Sequence, residues 1–230
     1  MKISFFKFML FVSVFSLGFL TACDNDDDDD DDDNNNPPQE ETIADIATAT
    51  PRFSILVDAL TRTNLVSVVA DENNDLTVFA PNNDAFNDAL QALGVADLDA
   101  LENALGTDGL RNVLLYHVLG AEVKAMDVTT GYAATQATNA DGDNLSIYLN
   151  TDMGVMINGT ASVENADIDA SNGVIHEIDA VILPLSMYQL LSVNAEFSSL
   201  VTALGVADGN LDSVLNDAAT GPLTLFAPDD

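Results

Sequence analysis

The chain has 230 residues, 38 acidic and six basic, for a formal charge of −32. Nucleic acid and anionic membrane surfaces both need a basic face, so this balance argues against either as a partner of the mature chain. Hydrophobic residues make up 47%, enough for a packed core, and a single cysteine, Cys23, excludes an intrachain disulfide.

Met1, Lys2 and Lys7 give the chain a positive start, and residues 8–20 carry no charge. That run is shorter than the about 20 residues needed to cross a bilayer and fits a secretory signal. It leads into Leu20-Thr21-Ala22-Cys23, which resembles the lipobox of bacterial lipoproteins. The resemblance implies cleavage before Cys23, so that 1–22 is a signal peptide and Cys23 the lipidation site. Two or more acyl chains make a stable membrane anchor. Residues 26–33 are unbroken aspartate, followed by Asn34, Asn35, Asn36, Pro37 and Pro38. Repelling charge and paired prolines cannot build a core, so 23–40 is read as an extended tether. Acidic residues just after the cysteine also resemble the surface-export signals of Bacteroidetes-type lipoproteins. A disordered acidic run holds no geometry for calcium, and no metal is assigned to it.

From Thr42 the pattern becomes globular. Phe53, Leu56, Val57 and Leu60 form a helical stripe, and Leu65, Val66, Val68 and Val69 an apolar patch. Leu76-Thr77-Val78-Phe79-Ala80 is β-prone, and Pro81 stops it by removing a backbone donor. Asn82, Asn83 and Asp84 offer capping side chains for a helix with Phe86, Ala89, Leu90 and Leu93 on one face. A short helix over 97–105 and the breaker Gly106-Thr107-Asp108-Gly109 come next. Leu110, Val113, Leu114, His117 and Val118 then share a helical face. Beyond Gly120 the pattern predicts strands at 132–136, 145–150, 155–157 and 174–178, with turns at Asp141-Gly142-Asp143, Asn158-Gly159 and Asn172-Gly173. Helices before strands suggest an α+β domain.

The opening of this pattern recurs. Phe53-Ser54-Ile55-Leu56-Val57-Asp58-Ala59-Leu60 aligns with Phe197-Ser198-Ser199-Leu200-Val201-Thr202-Ala203-Leu204, 144 residues on. Leu76-Thr77-Val78-Phe79-Ala80-Pro81 aligns with Leu223-Thr224-Leu225-Phe226-Ala227-Pro228, 147 residues on. The period is one whole domain. The expected organisation is a complete domain over 41–184 and the truncated start of a second over 187–230, as in a piece of a longer tandem protein.

Four stretches in order resemble a fasciclin domain: 77–86 from Thr77 to Phe86, Leu114-Leu115-Tyr116-His117-Val118-Leu119, Ala166-Asp167-Ile168, and Asn172-Gly173-Val174-Ile175-His176-Glu177-Ile178-Asp179. The resemblance implies a compact wedge of two small β-sheets packed with several α-helices. It makes Phe79, Pro81, Asp84 and Phe86 structural residues of a first homology box, and Gly173 and His176 those of a second. It associates Tyr116 and His117 with adhesion, and matches Asp167-Ile168 to a pair linked to integrin recognition in animal relatives.

Read from the residues alone, His117 on an apolar face is a core histidine that needs a hydrogen-bond partner, with Asp84 as the candidate. Asp167-Ile168 reads as a structural turn and His176 as a strand residue. Asn139-Ala140-Asp141-Gly142-Asp143-Asn144 has its glycine misplaced for a calcium loop, and Asn150 stands where a bidentate Glu is required, so a hairpin turn explains it. No nucleophile elbow, phosphate loop or zinc helix motif is present, which points away from catalysis and assigns no cofactor. The reading is a lipoprotein on the outer-membrane surface of a Gram-negative bacterium. It is expected to mediate adhesion to extracellular protein or glycan, with self-association as a further option. The competing reading is a ligand- or carbohydrate-binding or processing envelope lipoprotein in which the fasciclin domain is a scaffold.

Overall fold

A computed structural model describes residues 40–216 and 223–230. The expected signal peptide, Cys23 and nearly all of the acidic tether lie outside the described residues. Among the described residues no helix is long and apolar enough to cross a membrane.

Side-chain caps set the helix starts at Ile43, Asn83 and Leu98. Thr42 caps α1 (Ile43–Ala49) in a reciprocal box with Asp45, whose carboxylate accepts the Thr42 amide at 3.0 Å. α2 (Ser54–Arg62) buries Leu56, Ala59 and Leu60, and α3 (Val66–Val69) adds Val69. Asn82 caps α4 (Asn83–Leu93) by accepting the Ala85 amide at 2.9 Å, and Gly94 ends it in the left-handed conformation. Asp97 caps α5 (Leu98–Leu115), which contains a non-helical Gly106. The two helices expected on either side of that glycine are therefore joined end to end across a break.

β1 (Leu76–Pro81) is buried at every position. It pairs antiparallel with β2 (Val118–Leu119) and parallel with β7 (Gly173–Ile178), in the register Val78 to Ile175 and Phe79 to His176. β3 (Gly131–Thr138), β4 (Asn144–Asn150), β5 (Met156–Ile157) and β6 (Ala161–Ala170) link β2 to β7 through antiparallel neighbours and close the ring. The fold is α+β as expected, and its two small sheets are arcs of one closed barrel. β2 and β6 have no counterpart among the strands expected from the sequence.

Side chains alternate across β1, so this strand joins two cores. Val78 and Ala80 pack with Phe53, Leu56, Phe86, Leu110 and Leu114 beneath the helices. Phe79 turns the other way, into a barrel interior filled by Tyr116, Ile147, Ile157, Ile178 and Ile182. The parallel β1–β7 contact is so close that a Cβ on Gly173 would lie 1.9 Å from the Leu76 carbonyl oxygen. Only glycine fits there, and its φ of +136° is a further reason.

Residues 179–185 leave the barrel without helix or strand. α6 (Met187–Ser192) and α7 (Ser198–Val206) then start 144 residues after α1 and α2, with α8 (Leu211–Asn216) behind them. Ser186 caps α6 with the reciprocal box that Thr42 makes for α1. Residues 223–230 repeat the β1 sequence but form no strand. Among the described residues no strand pairs with them as β2 and β7 pair with β1, and an unpaired strand is not stable.

Candidate functional site

Tyr116 and His117 stand where α5 ends and β2 begins, and both are buried. The Ile182 amide donates to His117 Nε2 at 3.0 Å, so Nδ1 carries the proton and donates to the Val113 carbonyl at 2.8 Å. Burial pushes the imidazole down to about 4, against the Val113 bond, which favours the charged form. His117 is thus a backbone brace between α5 and the chain that leaves the barrel. Its expected partner Asp84 lies elsewhere, exposed in the first turn of α4. There its charge suits the helix N-terminus, and two backbone groups already satisfy the histidine.

The Tyr116 hydroxyl donates to the Ser146 carbonyl at 2.7 Å and accepts from Asn158 Nδ2 at 3.1 Å. Burial pushes the phenol up, opposed by hydrogen bonds from Asn158 and from the backbone of Leu185. Asn158 also brackets Tyr148, accepting its amide at 2.8 Å and donating its own amide to the Tyr148 carbonyl at 2.8 Å. Asn158 is buried at φ +51°, a conformation that asparagine tolerates better than most residues. In the sequence it reads only as a turn residue.

Asp167 has φ +57° and sits where the β6–β7 register shifts. Its amide donates to His176 Nδ1 at 3.1 Å, and His176 Nε2 donates to the Val123 carbonyl at 2.9 Å. The Asp167 carboxylate accepts the Ala125 amide at 2.8 Å, and Ile168 packs against the helical core. The pair and His176 together tie the β6 irregularity to the loop that follows β2. Phe79 lies 5.7 Å from the His176 ring, tilted by 33°. Asn139 accepts the amides of Asp141 and Asp143, both at 2.9 Å, which makes that loop a hairpin turn.

The basic side chains of the described surface are matched locally. Arg52 meets the buried Glu177 at 3.1 Å, Arg62 gathers Asp58, Asp99 and Glu102, and Lys124 meets Glu122 at 3.0 Å and also Asp169. Arg111 donates to the Thr63 carbonyl at 2.6 Å. Among the described residues no group of three or more His, Cys, Asp or Glu is placed to hold a metal ion. Two apolar voids of about 20 and 30 Å³ border His117. An open hollow of about 400 Å³ is lined in part by Asn73, Asn74, Asp75 and Gln136.

A family model described as "Fasciclin domain" matches residues 51–184. Protein sll1483 of Synechocystis sp. is 43% identical over 143 residues, 62% of this chain and 73% of that protein. Stabilin-2 of Rattus norvegicus is 32% identical over 167 residues, 67% of this chain and 11% of that one. Transforming growth factor-beta-induced protein ig-h3 of Sus scrofa is 36% identical over 165 residues, 71% and 22% respectively. The chain therefore spans a small part of these animal relatives. A solved FAS1 domain pair from the insect cell adhesion molecule Fasciclin I aligns at 17% identity and a TM-score of 0.38, covering 71% of this chain and 52% of that one. The family match spans the whole barrel and most of its covering helices, together with Tyr116, His117, Asn158, Asp167, Ile168 and His176, and the chain belongs to the fasciclin domain family.

Proposed function

We propose that this chain is a non-catalytic adhesion module that binds extracellular protein or glycan through its surface, held at a cell envelope by lipid on Cys23. The observation that carries this reading is where the reactive side chains are spent. Both ring nitrogens of His117 and of His176 engage backbone groups, and the Tyr116 hydroxyl is bonded inside the barrel. The voids beside His117, at about 20 and 30 Å³, are too small for a substrate. Recognition then falls to the outer surface, where the acidic excess repels polyanions. The hollow beside Asn73, Asn74 and Gln136 offers amide groups that a glycan could meet. The competing carbohydrate-processing reading requires a catalytic carboxylate pair at such a hollow, and only Asp75 lines this one.

Beads coated with the chain, compared with bare beads, test the proposal against intact cells, a glycan panel and one another, with and without calcium. Saturable attachment that is lost on unfolding supports adhesion. Turnover of a glycan, or no attachment to any surface, overturns it.

A further inference from the structure

The chain that leaves the barrel is gripped at two points, one at His117 and one at the Tyr132 and Tyr148 hydroxyls. His117 holds the Ile182 amide at 3.0 Å. Tyr116 is linked to the second point only indirectly, by steadying the strand that carries Tyr148. Asn158 bridges its hydroxyl to the backbone of Tyr148, and the Tyr148 hydroxyl donates to Asn194 Oδ1 at 3.3 Å. Asn194 Nδ2 donates to the Tyr132 hydroxyl at 3.4 Å, which in turn donates to the Leu190 carbonyl at 3.2 Å. The Tyr132 and Tyr148 rings lie 5.2 Å apart and present both hydroxyls to residues 190–194. Asn194 is 5% exposed although it lies between two helices of the recurring segment. Behind it, Val193 packs over Gly159, 3.4 Å from where a Cβ there would be, an ordinary van der Waals distance.

The same position of the first opening behaves differently. Thr50 stands where Asn194 stands, 144 residues earlier, and its hydroxyl turns back to the Ile46 carbonyl at 2.7 Å. The reaching amide is therefore particular to the second opening and is no requirement of the shared fold.

We infer that the Tyr132–Tyr148 face of the first domain is a docking seat for the opening of the second, with Asn194 as its key, so that the second repeat leaves in one direction instead of swinging on a linker. The inference stands independently of what the outer surface binds. It gives His117 a second task, since it holds the start of the exit segment while the Tyr132 and Tyr148 hydroxyls hold residues 190–194. Loosely joined modules sample many separations, whereas a fixed joint sets the spacing between their outer surfaces.

The test is amide hydrogen exchange on the full chain, following 187–204 with 43–69 as the internal reference. Asn194→Ala should speed exchange over 187–204 at least tenfold and leave 43–69 unchanged. Asn194 also caps the turn after α6 by accepting the Glu196 amide, so loss of that cap alone would mimic the result. Tyr132→Phe with Tyr148→Phe leaves the cap intact and removes only the seat's hydroxyls. The same local acceleration in this double variant establishes the seat. Unchanged exchange in the double variant, or equal acceleration over 43–69, overturns it.

Discussion

The two openings of this chain share sequence, helix order and the capping box of their first helix, yet they end differently. In the first, Asn83 Oδ1 accepts the Ile55 amide at 3.0 Å and the Ser54 hydroxyl at 3.3 Å, tying the start of α4 to the start of α2. In the second, Asp230 accepts the Ser199 amide at 3.0 Å and the Ser198 hydroxyl. These are the same contacts, made by the aligned residues. The strand between the tied points is nevertheless regular only in the first copy, where β1 lies between β2 and β7. In the second, Phe226 aligns with the buried Phe79 and is 92% exposed. Local capping thus builds the helices and their mutual tie, while a strand forms only where distant partners supply its hydrogen bonds and bury both faces.

Breaking the β1–β7 pair should accordingly make the first copy resemble the second. Gly173→Ala places a methyl group against the Leu76 carbonyl at a position of positive φ. A backbone clash cannot be relieved by a rotamer change, so a cost above about 4 kcal/mol is expected, close to complete unfolding of the barrel. Urea denaturation followed by far-ultraviolet circular dichroism checks it; a midpoint within experimental error of wild type contradicts the account of the pair.

The next effect is at His117, which secures the exit segment in the first copy and has no aligned counterpart before residue 230. His117→Ala removes a brace and leaves the Ile182 amide buried without its acceptor, at about 3 kcal/mol. A pH dependence accompanies it. The imidazole titrates near 6.5 when unfolded and about 4 when folded, so the unfolded state alone takes up a proton between them. The stability this ring contributes is present above pH 6.5 and falls as pH drops toward 4, by about 3 kcal/mol in all. The stability gap between wild type and His117→Ala should therefore be widest at pH 7 and nearly closed at pH 4. A constant gap would place the ring in contact with solvent.

Much of the fold was legible where a few consecutive residues carry the signal. Leu76 to Pro81, the Asn82 cap and the recurrence at 144 residues all show in local pattern. β6 did not, because Glu164, Asn165, Ala166 and Asp167 are exposed and two register shifts break its alternation. β2 spans two residues, too few for a period. At the candidate site the motif residues were visible but not their partners. His117 is answered by an amide 65 residues away, and a backbone group has no sequence signature. Asn158, Asn172 and Asn194 were equally hidden. Asn172 reads as a turn residue, yet its fully buried side chain accepts the Ile43 amide at 2.9 Å and donates to the Val69 carbonyl at 2.9 Å.

The smallest effect sharpens the comparison most, since it exchanges the acceptor side chain of the first tie for that of the second. Asn83→Asp gives the first copy the carboxylate of the second. The acceptor for Ile55 and Ser54 is kept, and a negative charge is added at the N-terminus of α2, which favours it. The Asn83 Nδ2 bonds to the Pro51 carbonyl and Ser54 hydroxyl are lost. These terms oppose each other, so stability at pH 7 should stay within about 0.5 kcal/mol of wild type, whereas Asn83→Ala, with no acceptor for the Ile55 amide, should lose about 1 kcal/mol. Asp230 is held below its usual range, first by the Ser198 hydroxyl and also by Ser199; the new carboxylate should be lowered in the same direction by the Ser54 hydroxyl and the Ile55 amide. A group so depressed stabilises above its unfolded pKa and loses that contribution as pH falls through the folded one. Thermal melts of the three proteins at pH 7 and pH 3.5 separate the outcomes. Asn83→Asp should lie with wild type at the higher pH and move toward Asn83→Ala at the lower; if it matches the alanine variant at both, the tie depends on the amide donor, and the two openings are joined by different chemistry.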